Sequence, residues 1–169
     1  MRKKFVWGLL LFLSLILVGC GDKETNDSKK DSLTSTNETI KCTKEEVDED
    51  GYKTVENMII TTKKNKVKKV SSTSIMEMDP EYISFTLTFG EAFATQFNEI
   101  EGMEMKYEKE GEKAIKLTMT VDYDKLDPEQ IKTVLGDLYE EEDASLYNSK
   151  DLSFEDFKKE SLEGYTCDK

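Results

Sequence analysis

Between Met103 and Tyr123 apolar residues fall on alternate positions, and that period constrains the chain more than any other feature. Met103, Met105 and Tyr107 alternate with Glu104, Lys106 and Glu108. After Glu110-Gly111-Glu112, Ile115, Leu117, Met119, Val121 and Tyr123 alternate with Lys116, Thr118, Thr120 and Asp122. A period of two places every apolar side chain on one side of a strand. Two such runs about a glycine turn predict an antiparallel hairpin with one face in a core and the other in water.

A second hairpin precedes it. Residues 38–46 read as a first strand carrying Ile40 and Cys42, and Asp48-Glu49-Asp50-Gly51 as a turn. Residues 52–62 and 67–78 read as strands about a turn at Lys63-Lys64-Asn65-Lys66, where Asn65 tolerates positive φ. Each hairpin is followed by a helix start. Asp79-Pro80-Glu81 and Asp127-Pro128-Glu129 both put Asp at the cap, Pro at the first helical position and an acid in the first turn. Gln130 completes a capping-box-like pattern.

After the first start, Tyr82, Phe85, Phe89, Phe93, Phe97 and Ile100 form one helical stripe, expected to be core. Ile83, Phe85, Leu87 and Phe89 also alternate with polar residues as a strand would. The cap and the length favour a helix, bent near Gly90. After the second start, Ile131, Val134, Leu135, Leu138 and Tyr139 share a face. A last helix is expected from Ser153, with Asp156 at its third position, burying Phe154, Phe157 and Leu162 and ending at Gly164. The expected fold is α+β: a two-layer antiparallel sheet with helices on one face, a ββα-ββα duplication and a C-terminal helix.

The N-terminus has a different character. Met1-Arg2-Lys3-Lys4 is basic, and Phe5 to Val18 is apolar apart from Gly8 and Ser14. This is the charged and apolar layout of a secretory signal. Fourteen helical residues span about 21 Å, short of a ~30 Å hydrocarbon core. Leu17-Val18-Gly19-Cys20 resembles the lipobox of bacterial lipoproteins. The resemblance implies cleavage after Gly19 and a diacylglycerol on Cys20, and two acyl chains anchor stably where one does not. The expected domains are a cleaved signal peptide over 1–19, a lipidated Cys and flexible tether over 20–37, and a single extracytoplasmic domain over 38–169. The expected location is the outer side of the cell membrane, lipid-anchored.

Cleavage removes three positive charges from a chain of net charge −12, leaving −15. Such a domain is repelled by nucleic acid, so no nucleic-acid partner is expected. The chain has no His, and its one Trp lies in the signal peptide. Without His there is no Ser-His or Cys-His nucleophile pair and no imidazole metal ligand. Once Cys20 is assigned to lipid, Cys42 and Cys167 remain as a disulfide candidate that would tie the first strand to the tail. A redox pair and two buried thiols are the alternatives; no Cys-x-x-Cys spacing supports the former.

Other patterns carry less. Asp122 to Asp127 begins like a calcium loop, but an EF-hand needs Gly sixth and Glu twelfth, where this chain has Asp127 and Thr133. A strand end and helix cap explain it better. Glu140-Glu141-Glu142-Asp143 reads as a solvated helix end. Lys63, Lys64, Lys66, Lys68 and Lys69 form a basic cluster at a hairpin tip that could meet anionic lipid or a cell-wall polyanion, although gatekeeper charges explain it as well. Met58, Met76, Met78, Met103, Met105 and Met119 are expected in the core, with a Met-lined groove between sheet and helices as the binding alternative.

The Cys-Gly-Asp-Lys junction at residues 20–23, the polar tether and the ββαββα order together resemble the YehR-like lipoproteins. Phe97-Asn98-Glu99-Ile100-Glu101-Gly102-Met103-Glu104-Met105-Lys106-Tyr107 is similar to that family's segment joining the first helix to the next strand. The resemblance covers most of residues 51–140 and implies fold and location, with no activity attached. Cys42, Cys167 and the helix after residue 150 are where this chain departs from it.

The expected function is a binding or accessory module at the cell envelope, monomeric, without cofactor, metal ligands or catalytic residues. Its partners would be the membrane, through the lipid, and an envelope protein or small ligand. The alternatives are a hydrolase using two convergent carboxylates and a peptide pheromone released from Leu11–Gly19.

Overall fold

The computed structural model describes residues 37–135 and 152–168. The signal peptide, the Gly19-Cys20 junction, most of the tether, Leu138, Tyr139 and the acidic run at 140–143 lie outside these residues. The described elements run β1 (Asn37–Val47), β2 (Lys53–Lys63), β3 (Lys66–Glu77), α1 (Pro80–Phe97), β4 (Met103–Glu110), β5 (Ala114–Asp122), α2 (Pro128–Leu135), α3 (Phe154–Ser161) and β6 (Thr166–Asp168). The strands form one six-stranded sheet in the order β4-β5-β3-β2-β1-β6, antiparallel throughout. Exchanging β2 with β4 and β3 with β5 turns β4-β5-β3-β2 into β2-β3-β5-β4, the same order read from the other side.

The expected alternation sets the register. Ile40, Ile60, Val70, Val121 and Met103 are successive cross-strand partners, and all five are buried. The next row on that face is Cys167, Cys42, Met58, Ser72, Met119 and Met105. Such rows are how a half-buried sheet gains stability. Slipping one strand by one residue would turn its apolar set to water. The helices cover this face. Gly90 of α1 lies on Tyr107 of β4, and Phe157 and Leu162 join the cluster that holds Ile40, Ile60, Val67 and Leu152. Five of the six methionines expected in the core are there, Met103 and Met105 buried and Met58, Met76 and Met119 packed partly buried against the cluster, whereas Met78, in the link between β3 and α1, lies outside it. The opposite face carries Ile59, Thr73, Thr118 and Lys106, exposed or half-exposed.

The first hairpin is tighter than expected. Lys63 and Lys66 pair with each other, so the turn is only Lys64-Asn65, with φ of 53° and 61°. Two left-handed residues make a type I′ turn, whose twist matches the strands. A bulge between Thr61 and Thr62 leaves Lys68 outside the register, so that Val67 and Val70 are both buried. Lys68 turns to Asp124, 2.6 Å away.

Asp79 caps α1 as its sequence predicts, its carboxylate accepting from Glu81 N at 3.2 Å. The helix continues unbroken through Gly90 to Phe97. Its buried side is not the aromatic stripe. Ile83, Thr86, Gly90, Ala94 and Phe97 face inward, whereas Phe85 is 65% exposed, Phe89 52% and Tyr82 39%. Phe93 is half-buried, and only Phe97 and Ile100 of the expected stripe are fully buried. The reason is steric. A Cβ placed on Gly90 would meet Cγ and Cδ1 of Tyr107 at 2.6 Å. A helix this close to the sheet accepts only small residues over the contact, and the large ones are displaced outward.

The other two helices follow their caps. Asp127 accepts from Glu129 N at 3.1 Å, and Ile131 is fully buried. Gln130 does not close a capping box. Its amide donates to Glu99 O at 2.8 Å and accepts from Glu101 N at 3.0 Å, binding α2 to the turn after α1. Ser153 caps α3 through Asp156 N at 3.1 Å. Phe157 and Leu162 are buried and Phe154 is half-buried. The tail beyond Gly164 forms β6, an element the sequence did not predict.

Both sides of the sheet are partly covered. On β4, the Asn98 side chain donates to Met105 O at 3.0 Å and accepts from Met105 N at 2.6 Å, standing in for a neighbouring strand. On β1, the short β6 pairs with Lys41, Cys42 and Thr43. Open edges invite pairing with another chain, and each device removes part of one.

Candidate functional site

The exposed aromatic side of α1 is the largest departure from ordinary surface chemistry. Phe85 and Phe89 stack with ring centroids 6.4 Å apart and planes 15° from parallel. Residues four apart share a helical face, so the two rings and Tyr82 make a continuous ridge. At about 100° per residue, Asn98 lies ~80° round the helix from Gly90 and Phe89 ~100° in the other direction. Asn98 holds the β4 edge, so the ridge lies on the opposite flank of α1, overlooking the inner face beyond β4. Half-buried Phe93 continues it toward Phe97, whose ring centroid is 4.7 Å away.

The ridge begins at an acidic end of the domain. There the β1–β2 loop, the end of β3, the start of α1 and the β4–β5 turn meet. Met78 N donates to Lys113 O at 2.8 Å, and Lys53 N to Glu77 Oε2 at 3.0 Å. Asp48 Oδ1 accepts from Asp50 N at 3.0 Å and from Tyr52 N at 2.8 Å, fixing the loop. Residues 45–53, 77–81 and 109–113 hold ten carboxylates against three lysines. The Tyr52 hydroxyl is held above its usual pKa by desolvation, and then by Asp79, Asp50, Asp48 and Glu81.

The lysine cluster occupies the other end. Lys63, Lys64 and Lys69 are exposed at the β2–β3 tip, Lys68 is engaged by Asp124, and Lys66 bridges to Ser153. Asn37, where the described chain begins, pairs with Lys63. The loop-like Asp122 to Asp127 segment holds Lys68 and Lys125: Asp122 Oδ2 is 3.8 Å from Lys125 Nζ. Among the described residues no group of three or more potential ligands is placed to hold a metal.

Sequence reasoning missed a buried polar contact. The Tyr165 hydroxyl donates to buried Glu56, and Lys44 Nζ stands 5.7 Å from the centre of the Tyr165 ring. Desolvation, with the Glu56 hydrogen bond second, pushes the Tyr165 pKa strongly up, so the phenol stays protonated and donates. One carboxylate held by a phenol ties the tail to the sheet and is not the pair a glycosidase-like reaction needs. Ser74 Oγ, across from Glu56 in the register, is buried without a hydrogen-bond partner among the described residues. On β1, two residues before the Lys44 that pairs with Glu56, Cys42 lies at disulfide distance from Cys167, sulfur to sulfur 2.06 Å. The signal for β6 was Cys167 itself: a partner for Cys42 on a central-facing row brings the tail alongside β1.

A shallow concavity of about 650 Å³ follows the β4 edge past Asn98, Glu101, Glu104, Lys106, Thr118 and Thr120. In it Lys106 bonds Glu108 at 2.7 Å and holds that carboxyl below its usual range. Among the described residues no helix is long and apolar enough to cross a membrane.

No protein-family model matches the chain, and no curated protein matches it. Its structure is similar to the NMR structure of a protein from Streptococcus pneumoniae TIGR4, with a TM-score of 0.51 and 13% identity over 89% of this chain and 100% of that one. It is also similar to the NMR structure of the E. coli YehR protein, a structural genomics target, with a TM-score of 0.47 and 18% identity over 77% of this chain and 88% of that one. At 13% identity the first likeness shows the α+β fold and carries no ligand or reaction with it.

Proposed function

We propose that the chain is an extracytoplasmic lipoprotein, anchored through a diacylated Cys20, whose domain is a binding or accessory module working through the α1 ridge. The anchor rests on the basic start, the apolar run and Leu17-Val18-Gly19-Cys20. The binding role rests on one observation: Phe85 and Phe89, stacked on each other, are more than half exposed. Rings held together at a surface keep their apolar area in water, a cost that association removes. Binding is favoured over hydrolysis because the exposed aromatic stack is a feature that association uses and that a carboxylate-based reaction does not need.

Two experiments test this. Cys20→Ser should abolish membrane attachment of the processed protein, and a cleaved Cys20→Ser product that still sediments with membranes would refute the anchor. A photo-crosslinker at Phe85 in intact cells should trap a defined partner that the same group at Thr118, on the other side of the sheet, does not. Identical products from both positions would remove the ridge from the binding role.

A further inference from the structure

Resting on the reading of α1 as a binding surface, we propose that its occupant is a cationic amphipathic segment. Its apolar side would lie on Phe85 and Phe89, and its lysines or arginines would meet the carboxylates where the ridge begins. The argument is charge complementarity. The charged residues of α1 are Glu81 and Glu91, and the helix has no basic residue. The end of the domain from which it rises holds ten carboxylates against three lysines, one of which, Lys53, is already bonded to Glu45 at 2.9 Å. Asp48 in the β1–β2 loop and Asp79 and Glu81 at the start of α1 belong to segments that meet at this end, where Lys53 N donates to Glu77 Oε2 at 3.0 Å and Met78 N to Lys113 O at 2.8 Å.

An acidic apolar partner would meet repulsion here, and a neutral one would leave the acidic end unused. A segment with apolar residues three and four apart and basic residues between them matches both parts at once. The exposed lysines of the β2–β3 tip lie at the opposite end of the strands. There they sit beside Asp122 and Asp124, which offset them, so the uncompensated acidic excess is at the end where the ridge begins.

The test uses the full chain in zwitterionic nanodiscs, with empty nanodiscs as baseline. Three labelled helical peptides share one leucine face and differ in carrying lysine, glutamine or glutamate elsewhere. The lysine peptide should bind, and Phe85→Ser/Phe89→Ser should weaken it about tenfold or more. Raising salt from about 0.05 to about 0.5 M should weaken it as well. Unchanged affinity in the double variant would mean bulk charge attraction and would overturn the proposal. Equal binding of the glutamine peptide through the same phenylalanines would overturn the cationic choice while leaving the ridge as a binding surface. Binding of none of the three would overturn the proposal, with the Phe85 crosslink then deciding the broader reading.

Discussion

Helices α1 and α3 both carry phenylalanines at helical spacing; α3 buries or half-buries both of its own, whereas α1 buries Phe97 and leaves Phe85 and Phe89 outside. Phe157 is buried and Phe154 half-buried, whereas Phe85 and Phe89 project into water. The helices differ in how closely they approach the sheet. α1 meets β4 through Gly90, with Tyr107 filling the space a side chain would need. α3 fills the space over the β1–β3 side with Phe157 itself, in the cluster that includes Ile60 and Val67. Periodicity cannot tell a helix that stands off a sheet from one pressed against it. Volume decides which face goes in.

The largest test of that contrast is Phe157→Ala, expected to cost about 3–5 kcal/mol by denaturant unfolding. A cost below about 1 kcal/mol would mean that α3 does not fill the core. Next is the staple on the same side. Reducing Cys42 and Cys167 should lower stability by about 2–4 kcal/mol, because oxidation would restrict the unfolded chain over a separation of 125 residues. Coincident unfolding curves with and without reductant would show that the pair contributes nothing.

On the α1 side, Gly90→Ala opposes two effects. Alanine favours a helix by roughly 1 kcal/mol over glycine, and forcing a methyl into packed space costs about 1–3 kcal/mol. A net loss of about 1 kcal/mol is expected, and replacing Tyr107 by a smaller residue should cancel it in a double-mutant cycle. A net gain would show that α1 stands further off than 2.6 Å implies. The smallest effect belongs to Phe85→Ser/Phe89→Ser, expected to change stability by no more than about 0.5 kcal/mol per site. A loss above about 2 kcal/mol would place these rings in the core, as their spacing suggests, and end the comparison.

Much of the fold was legible before the structure. The Met103–Tyr123 alternation, the paired Asp-Pro-Glu caps and Ser153 with Asp156 all report local physics, and each sits where its chemistry requires. The Lys64-Asn65 turn was legible within a residue, because Asn tolerates the left-handed region. The candidate surface was not. Phe85 and Phe89 read as core, since spacing alone carries no information on what lies opposite. Asn98, Gln130 and Tyr165 act over separations of 7, 31 and 109 residues on backbone or side chains that no local pattern identifies.

The sequence by itself determined the type of every described element except β6, the register-setting alternation, the acidic balance of the domain and the expectation of a lipid-anchored N-terminus. These depend on neighbours within a turn or a strand, or on composition summed over the chain. Only the tertiary structure decided which side of α1 is buried, how the two sides of the sheet are partly covered, and that carboxylates from separate loops gather beside an exposed aromatic ridge. Those are questions of fit between surfaces distant in the chain, where a glycine against a tyrosine ring keeps two phenylalanines of a helical stripe out of the core.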